Sequence, residues 1–184
     1  MNDRRSFEQM LACYCAPVLK KHKAANMFHM DKAKNLSIFA LIREYNEKLS
    51  GKQIQIKVLQ PANSRITIFV FQTKKLQQIL KRKDVMLFLQ SFGYPLPCSL
   101  QTLFAHLEQR LSMASAYPHE IGVLLGYPLH DVVGFIEQRE CLLRGHWNVY
   151  RHPRKAMQMF SLFERCSKEL MCGVRHGIPI EQLI

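Results

Sequence analysis

Apolar positions in this chain recur at helical spacing near both ends and alternate with a period of two in between. Phe7, Met10 and Leu11 fall at helical spacing, which predicts a short helix over 4–11 capped by Asp3. Pro17 suits the first turn of a second short helix, where its missing N–H costs nothing. Leu36, Phe39, Ile42, Tyr45 and Leu49 then form one stripe, with Asn35 as cap and Gly51 as terminator. Residues 53–60 alternate Ile54, Ile56 and Val58 with polar neighbours, and residues 65–72 set Ile66, Ile68 and Val70 against Thr67, Phe69 and Phe71. The link Pro61-Ala62-Asn63-Ser64 has turn chemistry, so the two segments predict a β-hairpin over 53–72. The second strand is apolar on both faces and is expected to be the more buried one.

Beyond Thr73 the pattern returns to helix. Residues 74–83 and 84–92 read as one broken helix, interrupted by Gly93-Tyr94-Pro95 and Pro97. Ser99 caps a helix over 100–111, Pro118 opens one over 120–125 closed by Gly126, and Pro128 opens another over 131–139. The turn at Gly126 is expected to bury Ile121, Leu124, Leu125, Val132, Phe135 and Ile136, with Gly122 and Gly134 marking close backbone approach. Residues 147–150 are aromatic and β-branched and form a candidate third strand. Pro153 opens a long last helix to about residue 172, with Met157, Phe160, Phe163 and Leu170 on one side. The expected fold is α+β: a mainly helical single domain, 1–184, around a small antiparallel sheet made of the hairpin and that third strand.

Composition narrows the class. The 184 residues are 48% hydrophobic and 22% charged, near globular averages, which fits one folded core. The longest apolar stretch, residues 121–129, contains Gly126 and Pro128 and falls short of the ~18–20 residues that span a membrane. The first residues lead into Phe7-Glu8-Gln9 rather than an apolar signal, so the expected location is the cytoplasm. There the six cysteines are expected to stay reduced. Residues 1–100 hold 17 basic and 6 acidic side chains, so the excess charge lies mainly in the first half and attracts acidic partners.

The most distinctive text is Pro118-His119-Glu120-Ile121-Gly122, Leu125-Gly126-Tyr127-Pro128, Asp131-Val132 and Gly134-Phe135-Ile136. With it go Cys15-Ala16-Pro17 and Leu19, Lys23 to Phe28, and Trp147-Asn148-Val149-Tyr150. In this order the pieces resemble a family of short uncharacterised proteins of anaerobic Firmicutes, a domain of unknown function. Val18 stands where that family usually has threonine, and Ala24 where it has proline. The resemblance implies kinship and no activity.

Four constellations bear on chemistry. Cys15 precedes a proline-initiated helix, where the dipole lowers a thiol pKa, and His119 with Glu120 offers a base and an acid. Adjacent helix residues do not face each other, so Glu120 is a poor orienter for His119. Cys13 and Cys15, with His22 and His29, lack the usual zinc spacing, and no metal is assigned. No feature specifies a haem or any other cofactor. Residues 120–136 resemble a helix-turn-helix, yet 118–140 carry four acids and only Arg139, which repels a phosphate backbone. Basic residues cluster beside aromatics at Lys20, Lys21 and Lys23, at Lys74 to Lys83, and at Arg144, Arg151, Arg154 and Lys155 around Trp147 and Tyr150.

The reading favoured by the sequence is a basic, non-enzymatic binding or accessory module for an acidic partner, protein or nucleic acid. Its expected surface is Lys20, Lys21, Lys23, Arg144, Trp147 and Arg151. The alternatives are a small thiol-dependent enzyme using Cys15, His119 and Glu120, and DNA binding through 120–139.

Overall fold

The structure, a computed structural model, describes residues 3–31, 38–59, 65–113 and 117–184. Two short helices, α1 (Asp3–Tyr14) and α2 (Ala16–Leu19), lead into strand β1 (Ala25–Asp31) and helix α3 (Ile38–Leu49). The hairpin follows as β2 (Ile54–Leu59) and β3 (Arg65–Gln72). Helices α4 (Thr73–Leu80), α5 (Lys83–Gln90), α6 (Leu100–Met113), α7 (Ile121–Leu124) and α8 (Leu129–Ile136) come next. A small ribbon, β4 (Leu143–Arg144) and β5 (Asn148–Val149), then precedes the long helix α9 (Pro153–Arg175). The chain is thus α+β and mainly helical, as the periodicity predicts. The Asn35 cap, Leu36, Gln60, the 61–64 link and the side chain of Asp3 lie outside the described residues.

The hairpin pairs antiparallel from Ile54 with Gln72 to Leu59 with Thr67. Its sheet has the order β1-β3-β2, so the doubly apolar strand is the central one. Because side chains alternate across a strand, β3 feeds two cores. Ile66, Ile68 and Val70 join Ile54 and Ile56 against α1, α2, α3 and α9. Phe69 and Phe71 face the other way, toward Leu76, Val85, Leu103, Phe104 and Leu124. Each buried phenylalanine contributes about 1.5–3 kcal/mol of hydrophobic stabilisation. The rings of Phe69 and Phe71 also lie 5.6 and 5.1 Å from that of Phe104.

The third strand of this sheet is β1, which pairs antiparallel with β3 from Ala25 with Phe71 to Asp31 with Arg65. Residues 147–150 do contain a strand, but it does not join the hairpin. It pairs with β4 through Leu143–Val149 and Arg144–Asn148. The reason is burial: Trp147 and Val149 pack on Ala156, Phe160 and Phe163 of α9, away from the main sheet.

Three burial expectations are also corrected. Ile38 takes the α3 core position expected of Phe39, which is 43% exposed. Ala156, Phe160, Phe163, Cys166, Leu170 and Val174 form the buried stripe of α9, and Met157 points outward. Phe135 is exposed where burial was expected.

Candidate functional site

The α7–α8 turn, the β4–β5 ribbon and the start of α9 meet at one corner of the second core. Gly126 adopts φ +84°, a left-handed conformation that costs glycine little, and Pro128, two residues on, then leads α8. Gly134 on α8 lets Tyr150 pass so closely that a Cβ there would sit 2.6 Å from the ring. The close approach at both Gly122 and Gly134 is thus to side chains, those of Val132, Tyr127 and Tyr150, rather than to backbone.

Asp131, in the first turn of α8, holds the corner together. Its carboxylate is 2% exposed and accepts from the Trp147 indole Nε1 at 2.8 Å. It also accepts from the backbone N–H of Tyr150 at 2.7 Å and of Arg151 at 3.2 Å. From the first turn of α8, Asp131 thereby fixes the ribbon and the chain leading to α9. Trp147 in turn stacks on Tyr127, with ring centroids 5.1 Å apart.

Outside this knot lies a cleft of about 750 Å³. Its walls are the start of α5, the Tyr127-Pro128 turn, the first turn of α8 and the first turns of α9. Arg82, Arg139, His130, Arg151, His152 and Lys155 supply its basic lining. Arg82 is neutralised by Asp84 at 2.6 Å, and Arg139 pairs with Glu137. Arg151 and Lys155 are exposed and have no acidic partner among the described residues. Between them His152 takes φ +55°, an uncommon left-handed conformation for a residue with a side chain, and its ring lies 5.7 Å from that of His130. Burial holds the His130 pKa below the usual histidine value; Asp131 opposes the shift, and His152, Arg151 and Lys155 add to it. The carboxylates on the same lining, Asp84 and Asp131, are engaged by Arg82 and by the Trp147 indole and backbone N–H groups, which leaves Arg151 and Lys155 as the cleft's cations without an acidic partner among the described residues.

Tyr127, Asp131 and Trp147 also border a second compartment of about 340 Å³ on the other side of the knot. Met27, Tyr117, His119, Gly122, Phe135 and Asn148 help to line it. The His119 ring packs edge-on against Phe135 at 4.9 Å and lies 6.2 Å from Tyr117.

The residues proposed for thiol chemistry fall in different surroundings. Cys15 is fully buried in the core of α1, α2 and α9, and burial pushes its thiol pKa up despite the nearby Lys23. His119 sits exposed at the rim of the aromatic compartment. Glu120 is fully buried and accepts from Arg110 Nε at 2.9 Å and from the Tyr94 hydroxyl at 3.5 Å. Among the described residues no hydrogen bond joins any two of these three. No group of three or more His, Cys, Asp or Glu placed to hold a metal occurs among the described residues.

The basic clusters also separate. Lys20 pairs with Glu169, and Lys21 is exposed with φ +60°. Lys23 is buried: its amine donates to Asn26 Oδ1 at 3.0 Å and lies 4.7 Å over the Tyr127 ring, and burial brings its pKa down to about 8. Arg144 is exposed on β4, beside Tyr150. Of the expected surface, Trp147 and Arg151 border the cleft. Its other basic members are Arg82 at the N-cap of α5, His130 in the first turn of α8, Arg139 just beyond α8, and His152 and Lys155 at the start of α9. The signal for two of them was in the sequence, as runs of basic residues at 81–83 and 151–155; that the runs meet across one cleft was not.

Among the described residues no helix is long and apolar enough to cross a membrane. A family model described as "Protein of unknown function (DUF3793)" matches residues 11–184. No curated protein and no solved structure matches the chain.

Proposed function

The chain belongs to the DUF3793 family, whose description names no activity, and from the corner cleft we propose that the protein is a binding module for a small, multiply charged anion of the phosphate class. The observation that carries this reading is the pair Arg151 and Lys155, exposed and without acidic partners among the described residues, set beside His130 and His152 in one concavity. An anion there gains two or more charge-assisted hydrogen bonds and relieves the repulsion among the cations. The cleft's ~750 Å³ lies within the range of small-molecule sites. The knot under Asp131 supplies rigidity, because it fixes the backbone of Arg151 on the wall of the cleft.

Calorimetric titration with pyrophosphate tests the reading. Binding is expected at low ionic strength, weakening as salt screens the charges. The double variant Arg151→Ala/Lys155→Ala is expected to lose at least tenfold in affinity with its fold intact, since both side chains are exposed. No binding by the native protein, or binding undiminished in the double variant, overturns the reading.

A further inference from the structure

The aromatic compartment behind the knot has features that packing does not use. Phe135 and Tyr117 are 42% and 40% exposed although they face a concavity of about 340 Å³. Leaving two aromatic faces open to water forgoes hydrophobic stabilisation that closure would supply. Two polar groups sit on the same lining, the His119 ring and the Asn148 amide, and neither is engaged in a hydrogen bond among the described residues. An imidazole and a carboxamide both carry donor and acceptor atoms in one plane. Flat aromatic walls with such edges suit a ring bearing its own nitrogens and oxygens better than a plain hydrocarbon.

The compartment is joined to the cationic cleft through three shared residues, Tyr127, Asp131 and Trp147. The two compartments therefore back onto the same three side chains, of which the Tyr127 ring is the most exposed. We propose that the compartment takes the heteroaromatic ring of a small phosphorylated molecule of the nucleotide class, whose phosphates lie in the cationic cleft. The proposal rests on the anion-binding reading above and adds the ring, the second compartment and its polar reading edge. Stacking on Phe135 supplies the affinity that the phosphate alone does not, and His119 with Asn148 selects among rings.

The test compares ADP, GDP, CDP and UDP with pyrophosphate by calorimetry on the full chain, for the native protein and for Phe135→Ala. At least one nucleotide is expected to bind tenfold or more tightly than pyrophosphate. Phe135→Ala is expected to erase that margin and leave pyrophosphate affinity unchanged; the exposure of Phe135 means the core stays filled, which a thermal melt checks. Asn148→Ala is a second variant, expected to change the ranking of the four nucleotides. If nucleotides and pyrophosphate bind equally, or if Phe135→Ala weakens both alike, the ring site is wrong while the anion site stands. If none of the five binds, the anion reading itself has failed. Tight binding of a single-stranded oligonucleotide with no binding of any mononucleotide overturns the small-molecule assignment.

Discussion

Replacing Asp131 by asparagine changes one atom's chemistry at the centre of the site. The carboxylate accepts on one oxygen from the Trp147 indole and on the other from the backbone N–H groups of Tyr150 and Arg151. An amide has a single oxygen, so in either orientation its NH2 faces a donor. Turned to keep the two backbone bonds, it leaves the indole N–H without an acceptor in a buried setting. Loss of a hydrogen bond to a charged group costs about 1.5–3 kcal/mol, and the surviving bonds weaken when the charge is removed. The total is about 3–4 kcal/mol, a large share of the ~5–15 kcal/mol by which domains are stable. For a chain of this length that corresponds to a fall in melting temperature of roughly 6–16 °C.

A double-mutant cycle isolates the indole bond. Trp147→Phe removes the donor, so Asp131→Asn no longer creates a donor–donor clash in that background. The substitution is then expected to cost about 2 kcal/mol less than in the native chain. Urea unfolding followed by far-ultraviolet circular dichroism is the assay, because Trp147 is the sole tryptophan and its removal takes the fluorescence signal with it. Additivity within ~0.5 kcal/mol would refute the claim that Asp131 holds Trp147 by a strong bond.

Two further outcomes follow from the same corner. Lys23 has a folded pKa of about 8, below the ordinary lysine value of ~10.4, so between those values the unfolded chain binds the extra proton and stability rises with pH; the difference in urea midpoint between the native chain and Lys23→Met is expected to grow in favour of the native chain from about pH 8 to pH 10.4, and a flat difference would contradict the burial of a lone amine. Gly134→Ala places a Cβ 2.6 Å from the Tyr150 ring, whose backbone Asp131 pins, so a loss of about 1–3 kcal/mol is expected by thermal melt, whereas Gly51→Ala, with nothing within 4 Å, is expected to stay within ~0.5 kcal/mol.

The hairpin was legible because β2 and β3 alternate with turn chemistry between them, and the doubly apolar β3 could only be a central strand. Strand β1 was not legible. Its text, Ala-Asn-Met-Phe-His-Met-Asp, holds one aromatic and no β-branched residue, and its strand character comes from pairing with β3, a long-range contact that local pattern does not encode. The same limit applied at the site. Basic runs at 20–23, 81–83 and 151–155 look alike in sequence. Tertiary placement sends Lys20 to an ion pair with Glu169 and Lys23 into the core, and it brings Arg82, Arg151 and Lys155 to one cleft. His130 and His152 are 22 positions apart and meet because the Asp131 carboxylate draws the chain before α9 back onto α8.

That carboxylate couples the packing of the α7–α8 motif to the geometry of the cleft. An apolar side chain would hold neither the indole N–H nor the backbone N–H groups of Tyr150 and Arg151. Asp131 spends desolvation on direction: it sets the Trp147 ring between two compartments and fixes Arg151 on the rim of one of them. The glycines serve the same end, Gly126 by turning the chain into α8 and Gly134 by admitting Tyr150 beside it. The motif thus packs and positions at once, and what it positions is Arg151 on the rim of the cleft, beside open aromatic surface.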